Sequence, residues 1–334
     1  MAFTEGKTFI YNKASIESYA AVVGKTESDG PYGGCFDEVI ADNKGGTQTW
    51  EQAESLFQQK AVGLAMEKAC VKPTDIDLLF AGDLLNQCVG SSGGLKDYFI
   101  PFLGIFGACS TFAEGLLLAG AMVNAGYVKR AMAVTSSHYS SAERQFRFPL
   151  NYGSVRTPTA QWTATASGAA LVCDTPKAPY IRAATAGKIQ DMGITDANNM
   201  GAAMAGAAYD TITRHMKHMN THPENYDLII TGDLGQVGSE LLYDLFTRDG
   251  VSIENRHKDC GLMIYDREKQ DVHAGGSGCG CSASMMCGHF LWEIESGALK
   301  RVLFCATGAL MSPTVVQQGT PIAGVAHAVE LTSD

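Results

Sequence analysis

One cysteine of this sequence stands where a thiol could act in covalent chemistry. A predicted strand over 99–106 leads into the turn before Cys109, and the segment after this cysteine, from Ala113 to Val123, is almost entirely small or apolar. A helix that is apolar on every side is buried in a protein core. The free backbone N–H groups at the start of such a helix favour a thiolate or a bound anion, and they lower the pKa of a thiol. Two interpretations stay open, a nucleophile or a small buried residue.

Two aspartates end the predicted strands that lead toward this cysteine. Asp83 follows the predicted strand 77–81, and Asp233 follows the predicted strand 227–231. Because the carboxyl ends of parallel strands share one edge of a sheet, we expect both side chains at the rim of the crevice that holds Cys109. A carboxylate there raises the pKa of the thiol by like-charge repulsion. An aspartate after a glycine also caps local turns, and that alternative stays open.

Three cationic residues follow the predicted strand 131–135. They are His138, Arg144 and Arg147. Arginine binds carboxylates through two parallel hydrogen bonds, so these residues suit a small dicarboxylate held at a helix start. A solvated loop or a dimer interface explains the same residues, and this alternative also stays open.

Other chemistry-bearing residues give weaker signals. Cys279 and Cys281 are separated by one residue and lack a matching pair, so we predict no metal site. The glycine-rich segment 275–278 lacks the lysine of a phosphate-binding loop, and we predict no cofactor. His215 and His218 lie in a predicted helix, where we expect them on the surface.

The elements that position these residues occur twice. A predicted helix, a proline turn and a strand occupy 50–81 and again 200–231. Chance matching of a few apolar positions is common, but a proline, two aspartates and a glycine in one register are not. The pairs that share the offset of 150 residues are Pro73/Pro223, Asp77/Asp227, Leu78/Leu228, Gly82/Gly232, Asp83/Asp233 and Leu84/Leu234.

The duplication continues into the cysteine segments. Cys109 begins a helix that leads into the strand 131–135, and Cys281 begins a helix that leads into the strand 302–306. Strands that alternate with buried helices indicate an α/β fold with mainly parallel sheets. Two such halves packed face to face bring the helix starts of Cys109 and Cys281 together.

Composition excludes several classes of function. The chain has 334 residues, 46% of them apolar and 18% charged, which describes a large globular core. A net charge of −10 argues against nucleic acid as a partner. We expect the ten cysteines to be reduced, and we expect neither a signal peptide nor a membrane span.

Several segments together resemble known families. The strand 77–81, the turn 107–110 and the strand 166–172 resemble the thiolase fold, which ketoacyl synthases also use. A narrower resemblance, to the stage V sporulation protein AD family, extends over nearly the whole chain. The segments that carry it are 81–87, 106–111, 135–138 with 142–147, 259–265, 274–282 and 306–314.

This resemblance implies a fold and a function. The fold is a thiolase-like αβαβα arrangement with pseudo-twofold halves, residues 1–177 and 178–334. The function is that of a soluble component that binds dipicolinate (pyridine-2,6-dicarboxylate) and works with membrane proteins to import it into the developing spore. A homodimer is expected, located in the cytoplasm or peripherally at the inner spore membrane. The expected ligand site consists of Asp83, Cys109, His138, Arg144, Arg147, Asp233, Cys281 and Gly308.

The alternative function is acyl transfer by a ketoacyl synthase III-like enzyme that uses Cys109. Such an enzyme needs a histidine and an asparagine, or two histidines, beside its cysteine. The position after the strand 227–231 holds no histidine, and the cap of the last central helix reads Gly280, Cys281, Ser282. We therefore predict that the protein is not an enzyme.

Overall fold

The longer strands coincide with the apolar segments of the sequence. The computed structural model describes residues 6–146 and 156–334. Its strands are β1 (Thr8–Ile10), β2 (Ser15–Gly24), β3 (Glu38–Ile40), β4 (Leu78–Gly82), β5 (Phe102–Gly104), β6 (Arg130–Ser137), β7 (Trp162–Thr163), β8 (Ala166–Cys173), β9 (Tyr180–Thr185), β10 (Gln190–Asp191), β11 (Leu228–Thr231), β12 (His257–Asp259), β13 (Gly276–Ser277), β14 (Arg301–Leu310) and β15 (Ala323–Thr332).

The helices lie between these strands along the chain. They are α1 (Lys25–Ser28), α2 (Trp50–Ala69), α3 (Val89–Leu95), α4 (Thr111–Asn124), α5 (Tyr139–Phe146), α6 (Met200–Met219), α7 (Gly235–Arg248), α8 (Cys260–Met263), α9 (Cys279–Met285), α10 (Leu291–Glu295) and α11 (Pro313–Gln317). The two long repeat helices end alike, because Cys70 and Asn220 each adopt a left-handed conformation that closes the last turn.

The sheet has the same strand order in both halves. The order β5-β4-β6-β8-β2 continues into β9-β15-β14-β11-β12, and the two halves meet at the pair Ser15 and Tyr180. Strands β4, β5 and β6 are parallel, as are β11, β12 and β14, whereas β8 and β15 run antiparallel to their neighbours. The sheets are therefore mixed, where the sequence predicted mainly parallel ones.

Five layers follow from the way the helices pack. Helix α2 covers the outer face of β2, β6 and β8, and α6 covers β14 and β15. Helix α4 contacts strands of both halves, and α9 packs beside it. The central layer is thus α4 with α9, as expected for αβαβα. The predicted boundary between residues 177 and 178 falls between β8 and β9 and stays a prediction.

Equivalent hydrogen bonds support the duplication. The side chain of Asp77 accepts the backbone N–H of Arg130 at 3.1 Å, and the side chain of Asp227 accepts the backbone N–H of Arg301 at 2.9 Å. Each bond ties the turn before one strand to the start of its parallel neighbour. The two aspartates that share the offset of 150 residues thus make the same hydrogen bond in both halves.

Two predicted boundaries were wrong. The strand predicted over 99–106 is limited to Phe102–Gly104, because Phe99 has a φ of 54° and Pro101 cannot donate to a ladder. The helix predicted to begin at Cys281 begins at Cys279. The second shift is accompanied by Cys279, and not Cys281, packing in one buried cluster with Cys109.

Candidate ligand-binding site at Cys109

A sharp turn holds Cys109 at the start of α4. Ala108 has a φ of 51°, a conformation that costs an alanine roughly 1–2 kcal/mol. Two hydroxyls stabilise the turn: Ser110 donates to the carbonyl of Gly107, and Thr111 donates to the carbonyl of Ala108, both at 2.6 Å. Cys109 is buried and lies at the helix start, as predicted.

A buried carboxylate from the other half lies against this thiol. Asp233 is fully buried and accepts hydrogen bonds from Ser277 Oγ at 2.9 Å, from Gly278 N at 3.0 Å and from Thr307 Oγ1 at 2.9 Å. The Cys109 thiol lies 3.7 Å from the same Ser277 Oγ, so Ser277 links the thiol to this carboxylate. The two predicted residues are therefore neighbours, but Asp233 is fully buried and not at a rim.

The surroundings of Cys109 keep its thiol protonated. Burial raises the pKa of Cys109 well above its usual value, and the charge of Asp233 raises it further. The pKa shift therefore has the opposite direction to the one expected from the helix start. Since only the thiolate is a strong nucleophile, Cys109 is a poor one here.

A pocket opens over Cys109. Its cavity volume is about 70 Å³, several times the roughly 10–15 Å³ that one buried water needs. Its apolar lining consists mainly of side chains that pack well against a flat aromatic ring, namely Leu84, Phe106, Phe146, Met200 and Met311. The space suits a small molecule.

The polar lining of the pocket comes from both halves of the chain. Besides Cys109 it includes Glu143, Thr163, Asn198 and Ser277. Thr163 and Ser277 are paired in the short ladder of β7 and β13, so their side chains share one face. Within the described residues, no lysine, arginine or histidine lines this pocket.

Asp83 serves a local turn. It is fully buried and accepts hydrogen bonds from the backbone N–H of Leu85 at 2.9 Å and from Ser91 N and Oγ at 2.7 and 2.6 Å. These bonds cap α3 and shape the loop that carries Leu84. The sequence left open whether Asp83 lies at the crevice of Cys109 or caps a local turn. The structure shows the turn, and Asp83 does not line the pocket.

The predicted cations are not part of the described pocket wall. His138 is buried, with Nε2 2.7 Å from the carbonyl O of Asn43 and Nδ1 accepting from Ser140 N. Arg144 forms an ion pair with Glu51 at the surface. Arg147 lies outside the described residues, so its role stays a prediction.

The last two predicted site residues, Cys281 and Gly308, do not line the pocket. Cys281 is fully buried and does not line the pocket, whereas Cys279 packs in one cluster with Cys109. Gly308 lies directly behind the turn, where a Cβ atom would come within 2.2 Å of the Gly107 carbonyl O. Gly308 thus permits the close approach of β14 to the turn at Cys109.

The surface position predicted for His215 was wrong. Its side chain is fully buried, with Nε2 3.2 Å from Glu330 Oε2 and Nδ1 2.8 Å from Thr185 Oγ1. His218 is exposed, as predicted. The packing of α6 on β15 covers His215, and this contact could not be read from the sequence of the helix.

Most of the pocket wall was not predicted from the sequence. No role was assigned to Thr163 in β7, to Asn198 before α6 or to Met200 at the start of α6. Ser277 lay within a segment used for the resemblance but was assigned no role. A signal existed in the short Trp162–Thr163 strand and in Asn199, which caps α6, yet neither indicates a pocket by itself.

Two kinds of site are absent from residues 6–146 and 156–334. They hold no group of three or more His, Cys, Asp and Glu side chains placed for a metal ion. None of their helices is long and apolar enough to span a membrane.

Solved structures with the same fold define the class of protein. The chain has a TM-score of 0.58 with 3-oxoacyl-[acyl-carrier-protein] synthase III from Aquifex aeolicus VF5, at 15% identity, covering 96% of this chain and 99% of that one. It has a TM-score of 0.62 with a variant of OleA from Xanthomonas campestris, at 14% identity, covering 97% and 99%. The fold is therefore thiolase-like, of the ketoacyl synthase III type.

Sequence comparison narrows this class to one family. The profile of the family described as "Stage V sporulation protein AD" matches residues 5–332. The protein named stage V sporulation protein AD from Bacillus subtilis (strain 168) is 45% identical over 330 residues, covering 98% of this chain and 97% of that relative. The chain belongs to the stage V sporulation protein AD family.

Proposed function

We propose that the protein binds dipicolinate in the pocket at Cys109 and does not catalyse acyl transfer. The observation that carries this proposal is a small, largely apolar pocket over Cys109, whose thiol is linked through Ser277 to the buried carboxylate of Asp233. An acyl-transferring site needs donors that stabilise an oxyanion and a base that activates the thiol. Asp233 meets neither need, because its negative charge disfavours both a thiolate and an oxyanion.

The pocket wall matches the two parts of the proposed ligand. Phe146, Met200 and Met311 offer contacts for a flat ring, and Thr163 and Asn198 offer a hydroxyl and an amide for carboxylate oxygens. A buried carboxylate left without donors costs several kcal/mol. Arg147 stays the candidate cation for the second carboxylate.

The protein is proposed to act as a homodimer and to deliver its ligand to membrane proteins of the same spore transport system. Strand β5 lies at one end of the sheet and exposes Phe102 and Leu103, with Phe99 and Phe106 exposed beside it. An exposed apolar edge strand favours pairing with another strand. Co-purification of the tagged protein with the membrane fraction of sporulating cells, lost when the membrane components are deleted, tests the delivery role.

Calorimetry tests the ligand proposal. We expect binding heat with pyridine-2,6-dicarboxylate and much weaker binding of benzoate, which has one carboxylate. Asn198→Asp places a negative charge on the pocket wall and should weaken dipicolinate binding about tenfold or more. Asn199→Asp is the matched control, because residue 199 caps α6 and aspartate caps a helix as well as asparagine does.

Two results would overturn the proposal. One is equal affinity for dipicolinate and benzoate, or no heat with either. The other is an added acyl mass on Cys109 after incubation with acyl-coenzyme A, measured on the intact protein. The second result would favour the ketoacyl synthase III-like alternative, which rests on the position of Cys109 at the start of a central helix.

A further inference from the structure

The residue before α5 caps this helix with an imidazole. The carbonyl O of His138 accepts a hydrogen bond from Ala142 N at 3.0 Å, and its Nδ1 accepts one from Ser140 N at 3.2 Å. A side chain that accepts a backbone N–H of the first turn is a helix N-cap, a role that asparagine, aspartate and serine usually have. His138 has this role at the start of α5.

The other ring nitrogen of His138 holds a second segment of the chain. Its Nε2 lies 2.7 Å from the carbonyl O of Asn43, in the loop 41–49 that leads into α2. The ring also packs against Trp50 and Phe57 of α2, with centroids 5.7 and 6.0 Å away. An asparagine also caps helices, but its side chain ends where the Nδ1 of a histidine lies and does not reach this loop. The histidine therefore makes two bonds where a usual cap makes one.

These two bonds determine the protonation state of the ring. The carbonyl of Asn43 can only accept, so Nε2 carries a proton, and the N–H of Ser140 can only donate, so Nδ1 carries none. Neither bond can be reversed, because both partners are backbone groups. In an imidazolium the Nδ1 proton would face the N–H of Ser140, and the positive charge would face the positive end of α5. Protonation of His138 therefore breaks the cap.

The charged side chains on the elements around His138 have partners of their own. They are Glu51 and Glu54 of α2, Lys44 of the loop 41–49 and Arg144 of α5. Arg144 forms an ion pair with Glu51, Lys44 lies over the ring of Trp50, and Glu54 contacts two serine hydroxyls. Burial lowers the pKa of His138 below its usual value, and the hydrogen bond to Asn43 and the charge of Glu51 reduce this shift. The neutral ring that the two bonds require is thus also favoured by its surroundings.

We propose that His138 is a positioning residue whose neutral imidazole joins the loop 41–49 to the start of α5 and so holds one wall of the pocket. Helix α5 contributes Ala142, Glu143 and Phe146 to that wall. Protonation of the ring frees the first turn of α5, which leaves the wall less well ordered. The effect on ligand binding rests on the proposed function, whereas the protonation state of His138 does not.

Nuclear magnetic resonance of the isotope-labelled native protein tests the ring directly. The nitrogen shifts of a histidine distinguish a protonated ring nitrogen from an unprotonated one. We expect His138 to carry a proton on Nε2 and none on Nδ1 at neutral pH, and to keep this form below about pH 6.5, the usual pKa of a histidine. A proton on Nδ1 at neutral pH would overturn the proposal.

The pH dependence of stability gives a second readout. A histidine of the unfolded chain takes up a proton near pH 6.5, roughly, whereas the ring of His138 resists it in the folded chain, so acid favours unfolding. Asparagine keeps the cap and cannot be protonated. The melting temperature of His138→Asn relative to the native protein should therefore rise as the pH falls from about 7.5 to about 5. His222→Asn, at an exposed histidine that also precedes a helical turn, should show no such trend, and its absence from His138→Asn would contradict the proposal.

Calorimetry with dipicolinate tests the link between the cap and the pocket. Two variants separate the two bonds of His138, since the amide of asparagine replaces Nδ1 and the amide of glutamine replaces Nε2. At neutral pH His138→Asn should retain most of the native affinity, and His138→Gln, which lacks the cap, should lose about fivefold. An equal loss in both variants would refute the link.

The possible failures can be told apart. If His138→Asn does not fold, the nitrogen shifts of the native protein still decide the protonation state of His138. Native affinity should then fall at the pH where Nδ1 gains its proton, and an affinity that is unchanged across that pH would refute the link to the pocket. If no protein binds dipicolinate at any pH, the proposed function fails, while the nitrogen shifts and the melting temperatures still decide whether a neutral His138 caps α5.

Discussion

At Cys109, burial and one neighbouring charge outweigh the effect of the helix start. A helix N-terminus stabilises a nearby anion by about 0.3–1 kcal/mol, rarely up to about 2. Removing a charge from water costs several kcal/mol, and a like charge in contact adds to this cost. Burial and the charge of Asp233 therefore raise the pKa of the thiol and hold it neutral.

Replacement of Asp233 should make Cys109 more reactive. Asp233→Asn removes the negative charge beside the thiol, and each unit by which the pKa falls raises the thiolate fraction about tenfold. We expect Cys109 to react with iodoacetamide about tenfold faster or more. Site-resolved mass spectrometry measures the rate, and Cys305, which is buried and whose pKa is not raised by Asp233, serves as the internal control. An unchanged rate in a folded variant would contradict the role given to Asp233.

Glu330 should stabilise the fold in a pH-dependent way. Burial alone would raise its pKa, but hydrogen bonds from His215 and Arg301 lower it below the usual value. Its contribution is therefore present above the unfolded pKa of about 4.3 and is lost as the pH falls through the lower folded pKa. Glu330→Gln should cost about 1–3 kcal/mol at neutral pH, and less in acid.

Urea denaturation at neutral pH and in acid checks the Glu330 prediction. Glu17→Gln is the matched control, because Glu17 pairs with Arg130 as Glu330 pairs with Arg301. Its side chain is 19% exposed, compared with 3% for Glu330, so its loss should cost less. If Glu17→Gln lost more free energy of unfolding than Glu330→Gln, the expectation that the more buried ion pair stabilises the fold more would be refuted.

At the scale of elements, the contact between β14 and the turn at Cys109 has no room for a side chain. In Gly308→Ala the new Cβ atom would come within 2.2 Å of the Gly107 carbonyl, so backbone must move. We expect a loss of about 1–3 kcal/mol in the free energy of unfolding, as for other overpacked sites, together with weaker dipicolinate binding. Gly34→Ala, which meets nothing within 4 Å, should change neither quantity. Equal stability of the two variants would contradict this contact.

At the scale of the whole molecule, the exposed edge at β5 should determine the oligomeric state. We expect a homodimer in sedimentation at micromolar concentration. The double variant Phe102→Ser with Leu103→Ser should be a folded monomer, because the apolar edge that it removes is what we expect a second copy to cover. Trp292→Ser, at another exposed aromatic residue, should remain a dimer. A native monomer, or a dimeric double variant, would refute this arrangement.

Most of the architecture was predictable from the sequence. Apolar periodicity located α2, α4 and α6, and the repeated proline, aspartate and glycine positions indicated the duplication. These features are local or recur at one fixed offset. They can therefore be recognised in a single sequence without knowledge of the tertiary contacts. The family followed from long matching segments and is confirmed by the comparisons.

The composition of the pocket was decided by the tertiary structure. Helix α9 begins two residues earlier than predicted, and Cys279 instead of Cys281 packs beside Cys109. The two equivalent aspartates also have different partners: Asp83 accepts hydrogen bonds from its own turn, whereas the charge of Asp233 acts on the thiol of Cys109. Sequence spacing gives the face of an element, but which face meets which depends on packing between segments far apart in the chain. Asp233 and Cys109 are 124 residues apart, and only the packing of the two halves brings a carboxylate of one against the thiol of the other.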